Sequence, residues 1–208
     1  MIIDEAKNTL QISCTRTRLL VSRLFGLSLL SLLLFTTSYW HTAPLLDQTL
    51  FSLGVLLAVA GFCGRLWSLS YIAGRKKREL VTVGPYSLCR HPLYFFSLVG
   101  GIGLGLCSET LTLAVLFAVG FALYYPSVIR TEESFLSSQF PGYEEYKTRV
   151  PLFFPRWSSF TDGDLQVNAR ALSREIVAAG GFLCMVGVLE MVESLHHAQI
   201  LPTLFLIP

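Results

Sequence analysis

PLYFFSLVGGIGLGLCSETLTLAVLFAVGFALYYPSVI, residues 92–129, holds two long apolar runs with only Cys107-Ser108-Glu109 between them. One runs from Pro92 to about Ser108 and the other from Thr110 to Ile129. Runs of about 18 or more apolar residues match the hydrocarbon thickness of a bilayer. Both are therefore read as membrane-spanning helices. So short a link forces them into a tight antiparallel hairpin. The first of the pair carries Gly100, Gly101, Gly103 and Gly105. Small residues of this kind let helix backbones approach closely in lipid. Placed mid-helix, they are packing residues and not a phosphate-cradling loop.

Working outward, Leu24 to Leu46 forms an earlier span, ending in Tyr39 and Trp40, which suit a membrane–water interface. A second runs from about Leu50 to Tyr71 and contains Arg65. Beyond the hairpin, Ile176 to Leu189 is a shorter apolar run with Glu190 and Glu193 close behind it. Its length fits either a fifth span or a re-entrant or interfacial piece. The expected fold is an all-α integral membrane protein, a bundle of four to five transmembrane helices in which helices three and four form the tight hairpin. Composition agrees. Of 208 residues, 52% are hydrophobic and 14% are charged, against a usual charged share of about 25%. The mean hydropathy is +0.56. A soluble domain this small could not bury so much apolar surface.

Net charge is +2, which points to no nucleic-acid partner. The placement of the charge is more informative. Arg16, Arg18 and Arg23 precede the first span; Arg75, Lys76, Lys77 and Arg78 follow the second; Arg130, Lys147, Arg149, Arg156, Arg170 and Arg174 follow the fourth. The intervening loops, 41–49 and the turn at Ser108, have no lysine or arginine. The bias toward basic cytoplasmic loops puts the N-terminus and the long segment Arg130 to Arg174 on the cytoplasmic side. The expected location is a bacterial inner membrane. No cleavable signal peptide is evident, because the first apolar run starts late and lacks a clean small-residue cleavage site. Five cysteines, Cys14, Cys63, Cys89, Cys107 and Cys184, are scattered without zinc-like spacing. They read as small apolar side chains, with Cys89 the one candidate for reactivity. His196-His197 lack further ligands and His41 looks incidental, so no metal is expected. Residues 1–156 form the expected membrane domain, Ser158 to Asn168 reads as a linker, and 157–208 adds that linker and a C-terminal apolar helix.

Polar groups gather in two places. The first is Gly84-Pro85-Tyr86-Ser87-Leu88-Cys89-Arg90-His91-Pro92-Leu93-Tyr94. Pro92 suits the first position of a helix, where its missing N–H costs nothing. The remaining free N–H groups and the helix dipole make an anion site there, with Arg90 and His91 beside it. Arg90 also has the length to snorkel toward headgroups. The second place is Arg130-Thr131-Glu132-Glu133, followed by Tyr143, Tyr146, Lys147 and Arg149. Carboxylates at a membrane boundary are costly unless paired or functional, although a solvated helix end would also carry them. The hairpin brings both clusters to one side. An anion site facing two carboxylates suits an amino-acid-like zwitterion. Arg65 either snorkels or reaches that site.

The order of these residues resembles the isoprenylcysteine carboxyl methyltransferases and their relatives, the membrane phospholipid methyltransferases. The resemblance rests on Gly84-Pro85-Tyr86, then Arg90-His91-Pro92-x-Tyr94, then Arg130-Thr131-Glu132-Glu133, Phe140, Tyr143, Tyr146-Lys147, Arg149-Val150-Pro151 and Pro155. Upstream, Arg65-Leu66-Trp67 and Leu80-Val81-Thr82 fit as well, so it covers about Gly61 to Arg156. It implies S-adenosylmethionine as cofactor, in a pocket on the cytosolic side. Cofactor binding falls to Tyr86, Arg90, His91, Tyr94, Glu132 and Glu133. The resemblance implies a lipid-like or small apolar acceptor entering from the bilayer. Arg130 or Arg149 is expected to hold an acceptor carboxylate or headgroup phosphate, and Glu133 to take a proton from an amine acceptor. A carboxylate or thiolate acceptor needs no general base, so no nucleophile–histidine dyad is expected. Relatives usually carry glycine where this chain has Phe96, which would narrow or shift the space near the cofactor. Alternatives within methyl transfer are a phospholipid N-methyltransferase or a small-thiol S-methyltransferase. Membrane sterol reductases, which use NADPH, have similar GPY and HPxY segments, but the double glutamate and short chain argue against that reading. A non-catalytic scaffold is disfavoured because His91, Glu132 and Glu133 occur together.

Overall fold

The computed structural model describes residues 36–38, 44–75, 78–163, 169–197 and 205–207. The described residues are mostly helical, with two three-residue strands and irregular segments before α2 and after α5. The strand β1 (Thr36–Ser38) is followed by α1 (Pro44–Ile72), α2 (Pro85–Leu88), α3 (Pro92–Leu106), α4 (Leu111–Gln139) and α5 (Tyr143–Arg149). A 3-10 turn at Trp157–Ser159, the helix α6 (Ala169–His197) and the strand β2 (Phe205–Ile207) complete it. β1 and β2 pair in parallel, Thr36 opposite Phe205.

Two of these boundaries correct the sequence-based expectation. The first expected span, Leu24 to Leu46, falls largely outside the described residues. Its end does not continue as one helix, because β1 intervenes and Pro44 already opens α1. Pro44 supplies a preset φ, and Asp47 in the first turn favours the positive end of the dipole. At the other end, α6 is 29 residues long, about twice the apolar run that marked it. The all-helical character expected from the sequence is borne out, and the three-residue pairing of β1 with β2 is a minor addition to it.

Among the described residues, two helices are long and apolar enough to cross a membrane, Leu45–Ile72 and Leu111–Gln139. The helix α3 has 15 residues and is shorter. It packs against α1 on one side and α4 on the other, while α6 also lies on α1. The glycines explain how. A Cβ on Gly61 would stand 2.5 Å from the Cα of Gly100, and one on Gly54 would stand 2.6 Å from the backbone nitrogen of Cys107. A Cβ on Gly103 would meet the backbone of Ala58. On the neighbouring face of α3, a Cβ on Gly105 would lie 2.6 Å from the Cα of Ala114, and one on Gly101 would enter the Phe117 ring. One helix thus makes backbone-close contact on two sides.

The hairpin forms as expected. The Glu109 N–H donates to the Leu106 carbonyl at 2.9 Å and Ser108 Oγ donates to the Gly105 carbonyl at 2.6 Å. Glu109 takes a positive φ of 57°, the left-handed conformation that ends many helices. From there α4 runs 29 residues, ten beyond the apolar run, so Arg130 to Glu133 lie on the helix and not after it. Pro126 interrupts its ladder: with no N–H, it leaves the Ala122 carbonyl without the usual helical partner.

Candidate active site

The segment before α3 turns tightly. Gly84 has φ of 61° and a Cβ there would run into the Tyr71 ring, so both backbone and space demand glycine. Its N–H donates to the Thr161 carbonyl at 2.8 Å. The turn places Tyr86 in an apolar cluster with Tyr71 and Val81, edged by Trp67, Ile72 and Val83. Tyr146 on α5 donates its hydroxyl to the Tyr86 carbonyl at 2.7 Å.

Residues 150–163 form a strap across this turn. The Arg90 N–H donates to the Pro151 carbonyl at 2.9 Å and the Arg156 N–H to the Leu88 carbonyl at 3.0 Å. Ser159 Oγ donates to the Ser87 carbonyl at 2.9 Å, and the Thr161 N–H donates to Ser87 Oγ at 2.9 Å. The stretch 158–163, expected as the start of a linker, is therefore bound to the site wall.

Above the turn, the two polar clusters meet. Arg90 pairs with Glu133 Oε1, their side chains 10% and 16% exposed. Tyr143 donates its hydroxyl to the same Glu133 oxygen at 3.0 Å, and His91 Nε2 lies 3.6 Å from it. Tyr94 donates its hydroxyl to Glu132 Oε2 at 2.7 Å. His91 stacks on Tyr94, centroids 5.7 Å apart, and Tyr94 meets Tyr125 edge-on at 5.1 Å. Among the described residues of this site, three buried polar atoms have no hydrogen-bond partner: the Tyr86 hydroxyl, Arg90 Nε and His91 Nε2.

The electrostatics follow from burial beside the two carboxylates. Burial pushes the His91 pKa below its ordinary 6.5, against the upward pull of Glu132 and Glu133. Burial raises the Tyr86 phenol, and Glu132 raises it further. Tyr143 and Tyr146 are raised in the same way. All three phenols stay protonated donors. Burial pushes the Cys89 thiol up to about 12, so Cys89 is held as an unreactive thiol.

His91 carries a stability consequence. Its folded pKa is depressed, so the unfolded chain takes up a proton first as pH falls through 6.5. Stability is full above that value and declines below it. His91→Asn is expected to lessen the drop in thermal midpoint between pH 7.5 and pH 5.5 in detergent. An unchanged drop would place the acid sensitivity in the carboxylates instead.

The structure brings together Tyr86, Arg90, His91, Tyr94, Glu132 and Glu133. It does not bring in Arg130 or Arg149. Arg130 is exposed on α4. Arg149 is 67% exposed and lies 3.6 Å from Glu145 on its own helix. The expected open helix end is also partly closed: the amides of Tyr94 and Phe95 both donate to the His91 carbonyl at 3.1 Å, and Pro92 has none. Donors to an anion must come mainly from Arg90 and His91 side chains. Arg65 does not enter the cluster; it donates to Ser97 Oγ and ties α1 to α3. Phe96 turns away as well. Its ring lies against Gly64 of α1 and 6.5 Å from Trp67, so it fills the α1–α3 gap. Ser87, Ser159 and Thr161 were missed as structural partners, since 72 to 74 residues separate them and no local pattern links them.

With this geometry in place, comparison with known proteins is informative. The family model described as phospholipid methyltransferase matches residues 49–142. The chain is 46% identical over 170 residues to the nickel-cobalt-cadmium resistance protein NccN of Alcaligenes xylosoxydans xylosoxydans, covering 81% of this chain and 78% of that protein. It is 45% identical over 191 residues to the cobalt-zinc-cadmium resistance protein CzcN of Cupriavidus metallidurans, covering 90% and 87%. It is 32% identical over 92 residues to the protein-S-isoprenylcysteine O-methyltransferase of Schizosaccharomyces pombe, covering 42% and 39%. No solved structure matches the chain. The chain belongs to the phospholipid methyltransferase family, a family of membrane methyltransferases.

Proposed function

We propose that this protein transfers a methyl group from S-adenosylmethionine to a lipid-like or small apolar acceptor, most nearly in the manner of an isoprenylcysteine carboxyl O-methyltransferase. The observation that carries this reading is the junction of Arg90-His91 and Tyr94 with Glu132-Glu133. The residues fit the cofactor chemically. A zwitterion needs acceptors for its ammonium and donors for its carboxylate. Glu132 and Glu133 supply the first. The buried, unpartnered Arg90 Nε and His91 Nε2 supply the second, and the Tyr86 hydroxyl is a third free buried group. S-adenosylmethionine supplies an electrophilic sulfonium methyl.

The protein's contribution is then alignment and exclusion of water. Arg90 and Tyr143 fix Glu133 from two directions. Tyr94 fixes Glu132 while its ring, between His91 and Tyr125, walls the site. For an amine acceptor Glu133 takes the proton; a thiolate or carboxylate acceptor needs no such step. That leaves phospholipid N-methylation and small-thiol S-methylation as the alternatives within the class. Arg130 and Arg149, exposed at this end, are placed to meet a headgroup at the rim. The basic segments support a cytoplasmic location for this end, at a bacterial inner membrane.

The names of NccN and CzcN favour a second reading of the setting: methyl transfer that supports tolerance of heavy metals. One paired experiment tests both. Labelled methyl transfer is measured in membranes against prenylcysteine, phosphatidylethanolamine and small thiols, and growth of a metal-sensitive host is scored on cobalt. Transfer to one acceptor class, lost in His91→Ala, is expected, together with protection that is lost in the same variant. NADPH binding without S-adenosylhomocysteine binding would overturn the methyl-transfer reading. Protection retained without transfer would overturn the metal setting.

A further inference from the structure

We infer that the strap at 150–160 is itself embedded in the lipid, with Phe154 and Trp157 seated in the glycerol and upper acyl layer of the bilayer, so that the site wall sits below headgroup level. The inference rests on the reading that the chain spans a membrane. Its starting point is the shortness of α3. Fifteen residues rise about 22 Å, whereas the hydrocarbon core is about 30 Å thick. The hairpin turn at the far end carries Glu109, a charge that belongs at the polar boundary. With that end fixed, Pro92 lies several ångströms inside the hydrocarbon at the near side.

The strap is pinned at this depth. Pro151 bonds the residue two before Pro92, through the Arg90 N–H. Phe153 reaches deeper: its ring is 5.9 Å from Phe95 and 6.1 Å from Phe121. Phe121 stands ten residues into α4, or about 15 Å from the turn. The strap's outer side carries large apolar side chains, with Arg156 and Ser158 among them. Phe154 is 74% exposed, Trp157 69%, Phe160 48% and Leu152 40%. Such a row is an aggregation hazard in water and an anchor in an interface, where aromatic rings collect.

Irregular backbone is tolerated at membrane depth only where protein satisfies it. The strap meets that condition in part, and Pro151 and Pro155 carry no N–H to satisfy. The N–H groups of Arg156, Ser159, Phe160 and Thr161 all have partners, on Leu88, Arg156, Trp157 and Ser87 respectively. Exposed Arg149 precedes the row and exposed Arg156 lies within it; both are long enough to reach up to the phosphates. Bilayer lipid is therefore the partner this surface fits.

The test is depth-dependent fluorescence quenching in phosphatidylcholine vesicles. The signal lost on Trp157→Phe gives the contribution of Trp157 alone, without disturbing Trp40 or Trp67. Quenching of that share by lipid brominated at acyl positions 6 and 7, with protection from aqueous iodide, is expected. A second variant, Phe154→Trp in the Trp157→Phe background, should behave the same way. Quenching by iodide with no response to brominated lipid would overturn the inference, while methyl transfer and resistance of the protein to alkaline carbonate extraction would leave its membrane reading standing. Release by alkaline carbonate would overturn both.

Discussion

Glu133→Gln should reduce methyl transfer by about 100-fold, the scale of loss when a positioned group shifts by about an ångström. It should also destabilise the fold by about 3 kcal/mol, the low end for breaking a buried ion pair, since the Glu133 side chain is 16% exposed. Both effects come from one arrangement. Glu133 accepts from Arg90 and from the Tyr143 hydroxyl, and His91 stands beside it. Glutamine keeps the shape but leaves the Arg90 guanidinium 10% exposed and without its counter-charge. The two losses can be separated. In Arg90→Ala/Glu133→Ala the lone buried charge is gone, so stability should recover relative to the sum of the single variants, while transfer stays low. Thermal unfolding in detergent and labelled methyl transfer in membranes give the two readouts. Wild-type transfer by Glu133→Gln would remove Glu133 from the site.

The second large effect is expected from a residue with no chemistry. Gly103→Leu should cost more than about 3 kcal/mol, the upper end for overpacking, and leave little folded protein in the membrane. A Cβ there already meets the Ala58 backbone and stands 2.7 Å from the Gly54 carbonyl oxygen. Neither can rotate away as a side chain would. Gly187→Leu on α6 is the control. Nothing lies within 4 Å of a Cβ at that position, so the change should stay within about 0.5 kcal/mol. Equal losses in the two variants, measured as folded protein recovered in mild detergent, would mean that α1–α3 contact does not decide stability.

How much of this was legible in the sequence depends on the range of the interaction. The hairpin could be read because a three-residue link between two apolar runs leaves the chain no other course. The close packing of α3 could be read from its glycines, though not which face meets which helix. The meeting of Arg90-His91-Tyr94 with Glu132-Glu133 was expected from the hairpin, and the side chains do meet. What escaped was long-range or directional. Nothing near Ser159 announces a bond to Ser87, because its partner is fixed only when the strap folds back. Phe96 looked like an obstruction at the site, but helix phase turns it toward Gly64. Arg65 has the length for either destination offered to it, and the side chain of Ser97 decides a third. Arg130 and Arg149 lie close to the cluster in sequence without joining it, a distinction that spacing along the chain does not encode.

The two-sided packing of α3 has a mechanical consequence. Where a helix is seated against backbone on both flanks, at Gly100, Gly103 and Gly105, few side chains at the seat can reorient to let it slide or roll by small steps. It behaves as a fixed anvil carrying His91 and Tyr94. Any opening that admits a bulky ligand must then come from the other jaw. That jaw is the part of α4 beyond Pro126, where the missing ladder bond to Ala122 provides the soft joint. Glu132 and Glu133 lie beyond that joint, and the bonds they make to Tyr94 and Arg90 tie it back to the start of α3.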